Sequence, residues 1–425
     1  MTIGARVFLA MALHAWLFGL SQVADSLLFG ADRKLSTVQR LEEGKPVTIV
    51  CFGDSITGVY YHTGGQHAWC DVLGITLKNL YPKAQLEMIN AGISGNDTAA
   101  ALKRMETDVL RHNPQLVAVM FGMNDLVRQT PAAFHDNLTE IVKRSRDRGA
   151  ETVLMTPNSI YPDDARRPPW RVAQFAEIVR QVGREVDVPV SDCFRAYEAI
   201  RAVDRRAWIQ LMSDNIHPNM RGHKLFAEEV AWTISGKRNS PPDVTPLQAR
   251  LPRTLARLRE DRPFKLTAMP PYDGLMVSAL QRSAPGKQVS VTPWDVAGKS
   301  LAGIEEQAKE IGWRRFRTGT EPGAPDLVVV AIPPAALAPD EEDFFRYYTS
   351  ILNLSLGYGK LQWDCIVILP SVLQPDLDPG QRAAENLALE AVKGQGICWL
   401  QRQPGESAPA EDLLQHWLAS LLAAQ

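Results

Sequence analysis

Apolar and polar positions along the chain fall into two alternating registers. Five short apolar runs recur: VTIVCF (47–52), QLEMIN (85–90), LVAVMF (116–121), ETVLMT (151–156) and VDVPV (186–190). Each has the length of a strand, and near-continuous apolarity is what strands buried on both faces require. Between them the spacing shifts to that of helices. Residues 97–110 put Leu102, Met105 and Val109 on one face, with Asn96 or Asp97 placed to cap, and 132–147 and 171–184 read similarly. Strands alternating with helices predict an α/β fold, a parallel sheet with helices on both faces, over residues 35–236.

Residues 237–262 are rich in Pro, Arg and Ser and predict a linker that ends in a short basic helix. The pattern then starts again over residues 263–425. FKLTAM (264–269) stands where VTIVCF stood, and SLAGIEEQAKEI (300–311) where TAAALKRMETDV stood. LVVVAIPPA (327–335) overlays LVAVMFGMN (116–124), and FFRYYTSILNLSLGY (344–358) and DCIVILPS (364–371) follow in the same order. This predicts a second, smaller α/β domain that duplicates the first.

Residues 1–34 contain an apolar run, 7–20, behind Arg6. It is short of the roughly 20 residues that span a bilayer, but long enough for the core of an export signal. His14 and Trp16 are unusual in such a core, so a helix packed on the domain of a cytoplasmic protein is the other reading. This segment is the only part of the chain that suggests membrane contact.

The 425 residues are 45% hydrophobic and 22% charged, a globular composition. With 46 basic and 48 acidic residues, the formal charge of -2 gives no electrostatic reason to expect nucleic acid. The five cysteines include no C-x-x-C pair, and no metal-ligand cluster is evident in the sequence, so neither a disulfide framework nor a metal site is expected.

Candidate chemistry gathers where the first five strands end. Gly53-Asp54-Ser55-Ile56-Thr57 directly follows the first strand, and ligands in open α/β sheets bind outside the carboxyl ends of strands. Asn90-Ala91-Gly92-Ile93-Ser94-Gly95-Asn96 follows the second strand and Gly122-Met123-Asn124-Asp125 the third. Late in the domain comes Asp214-Asn215-Ile216-His217-Pro218, in which an aspartate three residues before a histidine can orient its imidazole. Two rival motifs are incomplete. Ser94 lacks the spacing of a G-x-S-x-G elbow. Gly298-Lys299-Ser300 is half of a phosphate loop, with Pro293 at the leading glycine, and reads as a helix start.

The four ordered blocks over residues 53–218 resemble the SGNH hydrolases, also called the GDSL esterase/lipase family. The resemblance covers the first domain only. It implies a flavodoxin-like three-layer sandwich and a catalytic triad of Ser55 (nucleophile), His217 (general base, then acid) and Asp214 (orienting carboxylate). It also implies an oxyanion hole from the backbone N–H groups of Ser55 and Gly92 and the amide of Asn124, with no cofactor.

The implied reaction is cleavage of carboxylic esters through an acyl-serine, with small acyl groups such as acetyl, on small molecules or carbohydrates, as leading substrates. Alternatives are a lysophospholipase or thioesterase, an acyl transferase using the same triad, and a carbohydrate-binding protein without catalysis. Tyr60, Tyr61, His62 and Trp69 follow the nucleophile and are candidate pocket residues, as are Tyr161 and Trp170 after the fourth strand. Arg166 and Arg167 read as a solvated pair, or as a contact to an anionic substrate. His223 reads as a surface position on the next helix. In the second domain Tyr272 falls where Ser55 would be and Ala335 where Asn124 would be, so that domain is expected to be non-catalytic. Oligomeric state is not legible.

Overall fold

A computed structural model describes residues 35–65, 67–238, 251–316, 319–337, 341–357 and 362–423. The apolar run at 7–20 and linker residues 239–250 lie outside the described residues.

Five parallel strands form the first sheet: β1 (Pro46–Gly53), β2 (Gln85–Gly92), β3 (Leu116–Met120), β4 (Glu151–Met155) and β5 (Val190–Ser191). Their order is β2-β1-β3-β4-β5. β1 pairs with β2 up to Gly53↔Gly92 and with β3 up to Gly53↔Met120. The order reverses between β1 and β3, so the chain leaves those strands in opposite directions and opens a crevice at their carboxyl ends. The α/β expectation is met, and β1, β3 and β4 are buried almost throughout.

Two strand expectations need correction. β2 is an edge strand, and its residues are mostly half-buried rather than enclosed on both faces. VDVPV pairs only at its last residue. Val186 and Val188 instead donate their N–H groups back to Val182 and Gly183 of the preceding helix, Asp187 has a φ of +52°, and Pro189 has no N–H to give a ladder.

The helices follow the polar and apolar pattern closely. Thr98–Asp108 is capped by Asp97, whose carboxylate accepts the Ala100 N–H at 2.9 Å. Pro131–Asp147 is capped by Thr130, and Pro169–Glu185 begins on a proline, which costs nothing in a first turn.

The second sheet contains β6 (Phe264–Ala268), β7 (Val289–Pro293), β8 (Leu327–Val330), β9 (Asp364–Ile368) and β10 (Cys398–Leu400), in the order β10-β9-β8-β6-β7. Read from β7, this is the strand order of the first sheet. The short basic helix expected at the end of the linker is Pro252–Leu258. The two halves touch. The helix Pro379–Gln395 lies against the helix Met220–Ser235 and the turn Tyr61–Thr63. Ion pairs Arg205–Glu342 and Arg221–Glu390, both at 2.6 Å, and Asp163–Arg346, at 3.0 Å, also link the halves.

Candidate active site

Gly53 ends β1, and the chain turns at once into the short helix Ser55–Gly58. A Cβ on Gly53 would lie 2.1 Å from Thr57 Oγ1 and 2.8 Å from the Met120 carbonyl, so only glycine permits so tight a return. Asp54 caps the helix, its Oδ1 accepting the Ile56 N–H at 2.9 Å. Ser55 is thereby held at the first helical position, where the backbone N–H has no intrahelical acceptor.

Ser55 Oγ lies 2.9 Å from His217 Nε2, and His217 Nδ1 lies 2.8 Å from Asp214 Oδ2. Asp214 Oδ1 also accepts the backbone N–H groups of Ile216 and His217, at 2.9 and 2.8 Å. The loop is folded around its own carboxylate. Burial pushes the Asp214 carboxyl up, but the imidazoles of His217 and His62 outweigh it and hold the group well below the usual carboxylate range. An ionised Asp214 accepts the Nδ1 proton of His217 and leaves the Nε2 lone pair facing Ser55.

The buried amide of Asn124 lies beside this line. Its Nδ2 donates to the Asn96 carbonyl at 2.9 Å and lies 3.5 Å from Asp54 Oδ2. Gly92 behaves differently from expectation, because its N–H is already donated to Asn90 Oδ1 at 3.0 Å. Its Cα faces the helix Ser55–Gly58, where a Cβ would meet Gly58 N at 2.3 Å. Next along the chain, residues 93–96 form a type II turn. Asn96 N–H donates to the Ile93 carbonyl at 3.1 Å, and Gly95 has a φ of +77°. That turn is tied to Gly53 through Ile93 N–H and to Asn124 through the Asn96 carbonyl. The Gly95 N–H donates to no described residue.

The proposed pocket residues are largely inside the protein. Trp69 is fully buried, its Nε1–H donating to Thr57 Oγ1 at 3.2 Å and its backbone N–H to His223 Nδ1 at 2.9 Å. It supports the helix Ser55–Gly58 from behind and offers no face to a ligand. His223 is correspondingly buried rather than on the surface, and burial depresses its pKa to about 3, so it is neutral. His62 is buried too, stacked on His217 at 4.0 Å between ring centroids. Tyr61 packs on His62, and Tyr161 is buried against Trp208. Tyr60 is half-buried and its hydroxyl accepts from Asn90 Nδ2 at 3.1 Å.

Trp170 is the exposed aromatic of the group, at the rim of a hollow of about 280 Å³ lined also by Ile160, Phe194, Glu198 and Arg201. Of the paired arginines, Arg166 is exposed, but Arg167 is buried. Its Nε donates to the Met123 carbonyl at 3.0 Å and its Nη2 lies 3.5 Å from Asn124 Oδ1, so it braces the Asn124 loop.

His62, Asp214 and His217 offer possible ligand atoms within 4.8 Å of one another. The two rings are stacked, however, with 19° between their planes. In-plane lone pairs on stacked rings run side by side and do not converge on an ion.

Residues 51–225 match the family described as GDSL-like Lipase/Acylhydrolase. An acetylxylan esterase of Geobacillus stearothermophilus is 31% identical over 170 residues, covering 37% of this chain and 75% of the relative. Thioesterase 1/protease 1/lysophospholipase L1 of Escherichia coli (strain K12) is 27% identical over 185 residues, covering 43% of this chain and 81% of that protein. Among solved structures, a lipase/acylhydrolase from Enterococcus faecalis aligns with 46% of this chain and 99% of its own, at 25% identity and a TM-score of 0.38.

Proposed function

Since the chain belongs to the GDSL-like lipase/acylhydrolase family and is an esterase of that type, we propose that Ser55, His217 and Asp214 are its catalytic triad and that it removes small acyl groups from ester substrates. The observation that carries this reading is the unbroken hydrogen-bonded line from Ser55 Oγ through His217 to Asp214.

Ser55 Oγ attacks the ester carbonyl while His217 Nε2 takes its proton. The resulting imidazolium faces Asp214. His217 then passes the proton to the leaving alkoxide, and the alcohol departs from an acyl-Ser55. A water deprotonated by the same nitrogen attacks the acyl carbonyl, and the proton returns to Ser55 as the acid leaves. The negative oxygen formed in both halves needs fixed donors. The Ser55 N–H and the Asn124 amide suit that role. From the second-strand loop, Gly95 suits it better than Gly92, whose N–H is spent on Asn90.

The preference for small acyl groups such as acetyl, on small molecules or carbohydrate, is supported by the likeness to an acetylxylan esterase. Residues 35–236 are read as the catalytic unit. Residues 263–425 repeat its strand order without its chemistry, since Tyr272, fully enclosed, begins the helix after β6 as Ser55 begins the helix after β1.

The test is a panel of acetyl, butyryl, octanoyl and palmitoyl esters, a palmitoyl thioester and acetylated xylo-oligosaccharides, run on wild type and Ser55→Ala with and without an added alcohol acceptor. Turnover should be greatest for acetyl and fall by about 10⁶ in the variant. Preference for palmitoyl substrates would support the lysophospholipase or thioesterase reading, and acyl transfer outrunning hydrolysis the transferase. Ser55→Ala with wild-type turnover would remove Ser55 from the mechanism.

A further inference from the structure

The loop that carries Asp214 and His217 is held from the other half of the chain. Ser213, fully buried, precedes Asp214. Asn353, on the helix Glu341–Ser355, grips it twice: Asn353 Nδ2 donates to the Ser213 carbonyl at 2.8 Å, and Ser213 Oγ donates to Asn353 Oδ1 at 2.8 Å. The first bond fixes which end of the amide is which, because a carbonyl can only accept. The Ser213 hydroxyl proton is therefore committed to Asn353, and its oxygen must accept from its other neighbours. Those are His62 Nδ1 at 2.9 Å and Gln395 Nε2 at 3.3 Å. Gln395 ends the helix Pro379–Gln395 and is itself fully buried.

His62 joins this network to the reacting groups. Its Nδ1 is bound to Ser213, its ring lies flat on His217, and its Nε2 is 3.8 Å from Asp214 Oδ2. The backbone around it leaves little slack. A Cβ on Gly64, two residues on, would lie 2.7 Å from the Gly396 carbonyl, and one on Gly394 would lie 2.9 Å from Asn219 Nδ2. Ser213, Asn353, Gln395 and His62 are each nine-tenths or more buried, and such a network is rigid when its bonds are satisfied.

We propose that the carboxyl-terminal half completes the active site of the amino-terminal half: Asn353 and Gln395, acting through Ser213, together with His62, are positioning residues that hold His217 and Asp214 in line with Ser55. The proposal rests on the Ser55 mechanism above but assigns it residues that touch no substrate. It gives the second domain a definite task, to lock the acid–base loop at the distance general-base catalysis needs. Misplacing such a group by about 1 Å costs on the order of 100-fold in rate.

The experiment uses the full chain and compares wild type with Ser213→Ala, Asn353→Leu and His62→Phe, which keeps an aromatic ring but no hydrogen bond. Arg205→Ala, which removes the peripheral ion pair to Glu342 and a contact over the Trp208 ring but touches no member of the network, is the control. Three quantities are read per folded molecule: kcat and KM on p-nitrophenyl acetate, the rate at which paraoxon phosphorylates Ser55, and the thermal midpoint. The three network variants should lose about 10–100-fold in kcat and in phosphorylation rate with KM within about twofold, while Arg205→Ala matches wild type.

A folded set of network variants with wild-type kcat and phosphorylation rate would overturn the proposal, as would losses that vanish on correction for the folded fraction. Failure of the Ser55 mechanism has a different signature: wild type itself would not be phosphorylated at Ser55.

Discussion

Asp54 stands next to Ser55 and is fully buried. Burial raises its carboxyl pKa to about 7, against the opposing pull of the Ile56 N–H, His217 and Arg167. Because the folded value lies above the unfolded value of about 3.9, the cost falls on the ionised form. That cost is complete above pH 7, shrinks as pH falls through the window from about 7 to 4, and is absent below it. Asp54→Asn keeps an oxygen for the Ile56 N–H and removes the charge. It should raise the thermal midpoint at pH 8 by several degrees, at about 2–4 °C per kcal/mol for a domain this size, and by nothing at pH 4. Thermal unfolding across that range checks this, and a stability difference that does not change with pH would contradict it. Ser55, Asn124, Asp214 and His217 were legible in the sequence because each sits in a short motif at a strand end or on one loop. Trp69 and His62 were misread because an aromatic beside a nucleophile looks the same in sequence whether it faces the ligand or backs the helix.

At the scale of elements, the helix Ser55–Gly58 is set by what it packs on. Gly58 and Gly92 meet backbone to backbone, and a Cβ on either would fall within about 2.3 Å of the other's main chain. Gly92→Ala must therefore push the helix Ser55–Gly58 away from β2, whereas at Gly95 a Cβ meets nothing within 4 Å and the cost is only that of φ +77°. Gly92→Ala should lose at least about 100-fold in kcat, through displacement of Ser55, and Gly95→Ala should lose about 1–2 kcal/mol of stability with its N–H still in place. Kinetics and urea unfolding on both variants separate the cases, and equal activity in the two would show that the glycine contact does not set the helix.

Most elements could be read from period alone, since buried strands and capped helices announce themselves. The exceptions are edges. β7, which is half-exposed with no continuous apolar run, and the short β10 were not anticipated, and β5 is cut short by Asp187 and Pro189.

Two sheets of one strand order lie in a single chain, and the interface between them reaches the loop that carries Asp214 and His217. The repeat was visible because residues 263–425 reproduce three of the strands and two of the helices in the same order. The interface was not, because Asn353 and Gln395 stand 140 and 182 residues from Ser213 and no local pattern pairs them with it. The proposed reaction turns on one oxygen, Ser55 Oγ. Titration of the intact protein with paraoxon, followed by peptide mapping, tests that most directly. Esterase activity should fall in proportion and reach zero at one equivalent, with the diethylphosphoryl group on Ser55. Persisting turnover in protein fully modified at Ser55, or inactivation that tracks modification of a different residue, would contradict the account.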